Sequence, residues 1–154
     1  MTVSILRTAD AWWVHTAAGA ALIRTHAATT AEVLADRAAI DEAAHSTDTV
    51  PANSLKLVSP VTVPCRVVAQ ATNYASHVKD VGRDPAKTPL TFFRKASGSI
   101  TGPFDDIVKP AHVRLLDYEL EIGLVIGREL SVGTQVTEAN LADFVSALVV
   151  TDDI

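Results

Sequence analysis

The sequence has one cysteine, few aromatic residues, no excess of positive charge and no long apolar run, and each shortage excludes a class of protein. Cys65 has no partner for an intrachain disulfide, which fits a reducing compartment. Lysine and arginine number 13 against 18 acidic residues, so the basic surface of a nucleic-acid-binding protein is missing. No apolar stretch approaches the ~18 residues of a membrane span, and Met1–Leu6 do not resemble a signal peptide. We expect a soluble, cytoplasmic protein that binds neither nucleic acid nor membrane.

The residues that are abundant indicate a folded protein. Hydrophobic residues make up 48% of the 154 positions and charged residues 20%, which is enough apolar material for a core. Aromatic residues account for only 5%, so valine, leucine, isoleucine and alanine must supply most of that core. The length fits one domain, or a small module followed by part of a larger domain.

Residues 1–58 are predicted to form a small N-terminal αβ module. Three short apolar or alternating runs predict a meander of strands. Ala31–Ala44 carries apolar residues at helical spacing, and Thr30 precedes it as a candidate cap. Ser46–Ser59 is polar and contains proline, which is typical of a linker. The three predicted strands are Val3–Arg7, Trp12–His15 and Ala20–Arg24.

Residues 59–154 are predicted to form a second, mostly-β region. Asn73–Val81 reads as a helix or a turn-rich lid, and Thr137 is a candidate cap for a helix over Glu138–Phe144. Together the two regions predict an α+β fold that is mostly β. The four predicted strands of this region are Arg66–Gln70, Leu90–Arg94, Leu116–Ile126 and Val145–Thr151.

The strand over Leu116–Ile126 carries the most informative pattern. Side chains alternate along a strand, so positions two apart share a face and lie roughly 7 Å from one another. Asp117, Glu119 and Glu121 therefore share one face. The opposite face is apolar and is expected to pack into the core. It consists of Leu120, Ile122, Leu124 and Ile126.

Neighbouring carboxylates on a strand repel one another, and burial raises the cost unless a cation neutralises them. Oxygen ligands suit Mg²⁺, Mn²⁺ or Ca²⁺. Gly123 is next on the same face and is expected to leave space beside such an ion. Asp152 and Asp153 end another predicted strand, from which a third ligand could come. The alternative, which the pattern leaves open, is a solvated outer face of an antiparallel sheet.

Five segments in the same order resemble the fumarylacetoacetate hydrolase family. The resemblance covers Pro64–Ile154 and implies the start of that family's mixed β-roll. The carboxylate strand matches the family's Asp-Tyr-Glu-x-Glu signature, and the others match its Asn-Tyr-x-x-His, Pro-x-x-Phe-x-Lys, loop and Asn-Asp-Val segments. The matching residues are Asp117–Gly127, Asn73–His77, Pro89–Lys95, Gly102–Pro103 with Pro110, and Val150–Ile154.

The resemblance implies that Glu119, Glu121 and Asp153 bind Mg²⁺ or Mn²⁺, and that a small 2-oxo acid chelates the ion. The metal would then stabilise an enolate. Hydrolysis of a C–C bond in an acylpyruvate- or fumarylpyruvate-like substrate is the leading expectation. Decarboxylation or isomerisation of a 2-oxo or 2-hydroxy-diene dicarboxylate is the second. A non-catalytic binding or assembly module is the third.

The resemblance also implies catalytic residues. His77 and Asp80 stand where the family often places a His and a Glu that activate water, although the side chain of Asp80 is shorter by one methylene. Lys95 is a candidate contact for the substrate carboxylate. Members of the family are usually homodimers, so a homodimer is expected. Because the family core continues further, residues 59–154 are expected to be only the first part of the catalytic domain.

Overall fold

In the computed structural model, which describes residues 2–154, the strands form three antiparallel sheets. One sheet has the order β1-β2-β3, and the other two are the pairs β4-β5 and β6-β7. None of the helices within this range combines the length and apolarity needed to cross a membrane. The strands are β1 (Ser4–Arg7), β2 (Trp12–Thr16), β3 (Gly19–Leu22), β4 (Val67–Gln70), β5 (Phe92–Lys95), β6 (Glu119–Ile126) and β7 (Val145–Asp153). The helices are α1 (Thr30–Ala35), α2 (Arg37–Ala44) and α3 (Ala75–Asp80).

The predicted meander of the N-terminal module is confirmed. β2 pairs with β1 and β3, with Ile5 opposite Val14 and Val14 opposite Ala21. The two helices α1 and α2 cover one side of this sheet, so that their apolar side chains and those of the strands form one core. Its buried members are Trp12, Val14, Ala21, Ile23, Val33, Leu34, Ile40 and Ala43.

The predicted single helix over residues 31–44 is wrong, as is Thr30 as its cap. Asp36 has φ −84° and ψ 64°, which is not helical, and its side chain accepts a hydrogen bond from the amide of Ala39 to start α2. Thr29 is the cap of α1. Its hydroxyl accepts from the amide of Glu32, whose carboxylate accepts from the amide of Thr29. Together they form a capping box.

Glu32 gives this cap a pH dependence. Hydrogen bonds from the backbone amides of Ala28 and Thr29 lower the pKa of the Glu32 carboxyl below its usual 4.5. A lowered folded-state pKa stabilises the protein above the unfolded value, and this stability is lost as pH falls through the folded value. We expect Glu32→Gln to lower the melting temperature at pH 7, and the difference from wild type to shrink below about pH 4.5.

The test is thermal unfolding followed by circular dichroism across this pH range. Glu138→Gln is the matched control, since Glu138 lies in a turn and makes no side-chain hydrogen bond among those described for residues 2–154. If the melting temperature of Glu32→Gln stayed below that of wild type by the same amount from pH 7 to pH 3, the role of the carboxylate charge would be contradicted.

The chain that follows the module stays attached to it. The amide of Val58 donates to the carbonyl of Arg7 at 2.9 Å. The hydroxyl of Thr30 donates to the carbonyl of Pro60 at 2.7 Å and accepts from the amide of Thr62 at 2.8 Å. These contacts fix the segment against β1 and α1. The proposed boundary between the two regions at residue 58 remains a prediction.

The second region contains the four predicted strands, with different bounds. The strand predicted from Leu116 begins at Glu119, so Asp117 lies outside it and accepts a hydrogen bond from the amide of Tyr118. The helix predicted over residues 138–144 is wrong, because only a 3₁₀ turn forms at Leu141–Asp143. The side chain of Asn140 accepts from the amide of Thr137 and donates to a backbone carbonyl, which competes with helical hydrogen bonding.

The apolar face of the β6-β7 pair, which the sequence analysis expected in the core, is exposed within residues 2–154. Every member of it is more than half exposed. Contiguous exposed apolar surface of this kind is uncommon on monomeric proteins. Its members are Leu120, Ile122, Leu124 and Ile126 on β6 with Leu148 and Val150 on β7.

Candidate metal centre

Strand pairing brings the predicted metal ligands onto one face. In the β6-β7 register Glu119 lies opposite Asp153, and Glu121 lies opposite Thr151. Residues directly opposite in an antiparallel pair, and residues two apart along one strand, point to the same side. The three carboxylates therefore project from one side of the two-stranded ribbon that β6 and β7 form. They lie near the end of the ribbon where β6 begins and β7 finishes.

This carboxylate face, defined by Glu119, Glu121 and Asp153, continues inward to the N-terminal module. At its far end Val125 lies opposite Ala147, and both pack against the module core. Glu121 and Asp153 are half-buried, whereas Glu119 is exposed. The face thus runs from a packed apolar end to a charged end that solvent reaches. Partial burial raises the cost of leaving these charges unpaired.

Gly123 does not leave the space that the sequence suggested. A Cβ at this position would lie 2.8 Å from Cγ1 of Val149, its partner across the ribbon. The glycine lets the side chain of Val149 lie over β6, so the space beside Glu121 on this side is filled by an apolar group.

Lys95 is directed at the carboxylate face from another sheet. It is the last residue of β5, and its ammonium group forms an ion pair with Oδ1 of Asp153. The two side chains retain only 29% and 21% of their exposure, so the pair is largely shielded from water. The Lys95 ammonium also lies 5.7 Å from the centre of the Phe93 ring. The residue predicted to contact substrate is thus engaged with a predicted metal ligand.

Asn73 holds the start of α3 against β5, a role that the sequence did not reveal. Its Oδ1 accepts from the amide of Thr91 and its Nδ2 donates to the carbonyl of Thr91, both at 2.9 Å. The side-chain amide of Asn73 thus makes the same two hydrogen bonds to Thr91 that the backbone of a neighbouring strand would make. The Asn-Tyr-x-x-His motif was a signal for it, because its asparagine precedes the helix that carries the histidine.

His77 and Asp80 both lie on α3 and are exposed, while Val78 between them is 2% exposed and anchors the helix. Residues three apart on a helix share a face, so the two polar side chains are neighbours. Among the contacts described for residues 2–154, none joins His77 or Asp80 to the carboxylate face.

The carboxylate face fits a hard divalent cation in its chemistry. Its donors are all carboxylate oxygens, which Mg²⁺ and Mn²⁺ prefer, and a cationic group already sits on Asp153. Within residues 2–154, no three His, Cys, Asp or Glu side chains are gathered closely enough to hold an ion. Binding would therefore have to draw in the flexible side chains of Glu119 and Glu121.

Comparison with known proteins identifies the family. The family described as fumarylacetoacetate (FAA) hydrolase C-terminal matches residues 66–154, which is more than half of the chain. The chain belongs to the fumarylacetoacetate hydrolase family. The match begins just before β4 and includes every predicted site residue.

Curated relatives come from animals and bacteria. The rat mitochondrial oxaloacetate tautomerase Fahd2a is 30% identical over 105 residues, which are 68% of this chain and 32% of that protein. The human mitochondrial oxaloacetate tautomerase FAHD2A is 36% identical over 80 residues, 52% of this chain and 25% of that protein. An uncharacterised protein of Staphylococcus aureus (strain USA300) is 34% identical, covering 66% of this chain and 33% of that protein. The chain thus spans about a third or less of these relatives.

A solved structure shares the fold. The crystal structure of a protein assigned to HpcE from Mycobacterium smegmatis superposes with a TM-score of 0.73 at 23% identity. The superposition includes 97% of this chain and 54% of the mycobacterial one. The arrangement of module, helix α3 and strand pairs is therefore one that the mycobacterial protein also adopts.

Proposed function

We propose that this chain carries the metal-binding part of an enzyme that interconverts the keto and enol forms of a small 2-oxo acid. The observation that carries the proposal is the carboxylate face, where strand pairing sets Glu119 opposite Asp153 and beside the half-buried Glu121. Two curated relatives are named oxaloacetate tautomerases, and that name describes this class of reaction.

The chemistry assigns separate tasks to the residues of the chain. Glu119, Glu121 and Asp153 would hold Mg²⁺ or Mn²⁺, which would supply positive charge for the negative charge that develops on the substrate's keto oxygen. A base takes a proton from C3, and a proton is added to the keto oxygen. His77 is the residue we assign to proton transfer, with Asp80 on the same helix face to orient it.

Isomerisation requires fewer catalytic groups from the chain than hydrolysis does. It moves a proton within one molecule and needs no activated water held beside the cleaved bond. Hydrolysis of an acylpyruvate-like C–C bond is the second candidate. His77 and Asp80 lie on α3 at the positions where the resemblance implies a His and a Glu that activate water, although the side chain of Asp80 is one methylene shorter. Decarboxylation would use the same carboxylate face.

The proposal is tested by adding oxaloacetate and Mn²⁺ to the chain and following the ultraviolet absorbance of the enol. We expect keto–enol equilibration faster than with Mn²⁺ alone, and no more pyruvate than Mn²⁺ alone produces. His77→Asn is expected to lower kcat by about 100-fold, as loss of a general acid–base typically does. Asp152→Asn, on the opposite face of β7, is the control and should keep full activity.

Other products would redirect the assignment. Release of pyruvate and CO₂ from oxaloacetate faster than with Mn²⁺ alone would make decarboxylation the reaction. Cleavage of an acylpyruvate without tautomerase activity would favour hydrolysis. Loss of activity in Asp152→Asn equal to that in Glu119→Gln would show that the carboxylate face is not the site.

A further inference from the structure

Two ion pairs are described within residues 2–154, and the pair of Lys95 and Asp153 differs from the other in exposure and in sequence separation. Lys87 and Asp84 are separated by 3.6 Å, their side chains are 84% and 52% exposed, and they lie three residues apart. Lys95 and Asp153 are 58 residues apart, lie on β5 and β7, and are largely shielded from water. An exposed ion pair contributes little to stability. In a shielded pair between sheets, removal of one partner leaves the other charge without compensation, which destabilises the fold.

The charges around Asp153 explain why a cation is needed there. Glu119 is its direct partner across the ribbon and Glu121 is the next residue on the same face. Like charges at such positions destabilise a sheet. Within residues 2–154, the ion pair with Lys95 is the only one described for these three carboxylates. The ammonium group therefore supplies one of the two positive charges that a divalent cation would supply on the same face.

We propose that Lys95 is the resident counter-cation of Asp153, and that a divalent cation displaces it. The inference rests on the proposed function, since it assumes that the carboxylate face binds metal. Two cations held at one carboxylate repel each other, so the metal and the ammonium compete. The displaced Lys95 then carries an unpaired positive charge beside the metal, where the carboxylate of a 2-oxo acid would neutralise it. Substrate binding and metal binding would thereby favour each other.

Calorimetric titration of Mn²⁺ into the full chain tests the competition. Lys95→Met removes the charge and keeps the length of the side chain, so we expect Mn²⁺ to bind roughly fivefold to tenfold more tightly than to wild type. Lys95→Arg keeps the charge and should return the affinity close to that of wild type. Lys87→Met removes a lysine of the exposed pair and should leave the affinity unchanged.

Thermal unfolding supplies a second readout that needs no activity. Without metal, Lys95→Met should melt below wild type, because three carboxylates are left without their cation. With saturating Mn²⁺ this deficit should shrink, since the ion replaces the lost charge. A deficit of the same size with and without Mn²⁺ would contradict the displacement.

The outcomes separate this inference from the proposed function. Weaker Mn²⁺ binding in Lys95→Met would mean that Lys95 positions Asp153, and an unchanged affinity would mean no coupling; either overturns the inference. Absence of Mn²⁺ binding in wild type overturns both the inference and the metal-dependent function. Tighter binding in Lys95→Met without keto–enol activity in wild type supports the inference and rejects the function.

Discussion

Replacing Glu121 by glutamine is expected to weaken Mn²⁺ binding on the order of 100-fold. Loss of a group that only supports a metal ligand typically costs about 10- to 100-fold in affinity, so loss of a charged ligand should cost at least as much. Glu121 is the half-buried glutamate of the carboxylate face, and glutamine keeps its size while removing its charge. Isothermal titration calorimetry measures the change directly.

The ribbon itself offers the control for this experiment. Asp152 is adjacent to Asp153 but lies opposite Leu120, on the exposed apolar face. Asp152→Asn removes the same charge from the same strand end and should leave the affinity within about twofold, since screening weakens interactions between exposed charges. Equal losses in the two variants would show that Mn²⁺ responds to net charge alone.

Replacing Trp12 by alanine is expected to lower the free energy of unfolding by about 3–5 kcal/mol, the usual cost of truncating a buried aromatic residue. Trp12 is 5% exposed in the core of the N-terminal module. Its indole N–H donates to the carbonyl of Ala27 at 2.9 Å, and the Arg7 guanidinium lies 5.3 Å from the ring centre. The truncation removes both contacts and leaves a cavity.

Urea denaturation followed by circular dichroism measures this loss. Leu148→Ala is the control, because Leu148 is 68% exposed and its truncation should change stability by less than about 0.5 kcal/mol. If Trp12→Ala lowered the free energy of unfolding by no more than Leu148→Ala does, the module core would not contribute to the cooperative unfolding of the chain.

The sequence predicted the strands well because alternation and turn residues are local signals. The meander β1-β2-β3 and the strands β4 to β7 were all anticipated to within a few residues. The capping box of Thr29 and Glu32 was also readable, since Thr-x-x-Glu precedes an apolar helix, but Thr30 was chosen instead. Asp36 at a helix start was missed because the apolar spacing continues through it.

The orientation of β6 could not be predicted from its pattern. Alternation shows which residues share a face, but the face that lies inward depends on what packs there. Leu120 and Ile122 were placed inside because they are apolar, yet the module meets the side that bears Val125. The register of Glu119 with Asp153, and the approach of Lys95 from a different sheet, are long-range features that local spacing does not encode.

The attachment of the ribbon to the module has a consequence for the order of folding. Residues 4–44 form their strands and helices through contacts that are close in sequence, so this part can fold early and quickly. β6 and β7 must first bring together the ends of residues 127–144, which costs loop entropy before pairing begins. Val125 and Ala147 then pack against the core of the N-terminal module, which has already formed. The carboxylate face would thus be among the last parts of the chain to assemble, and it would do so on the N-terminal module, which contributes none of its three carboxylates.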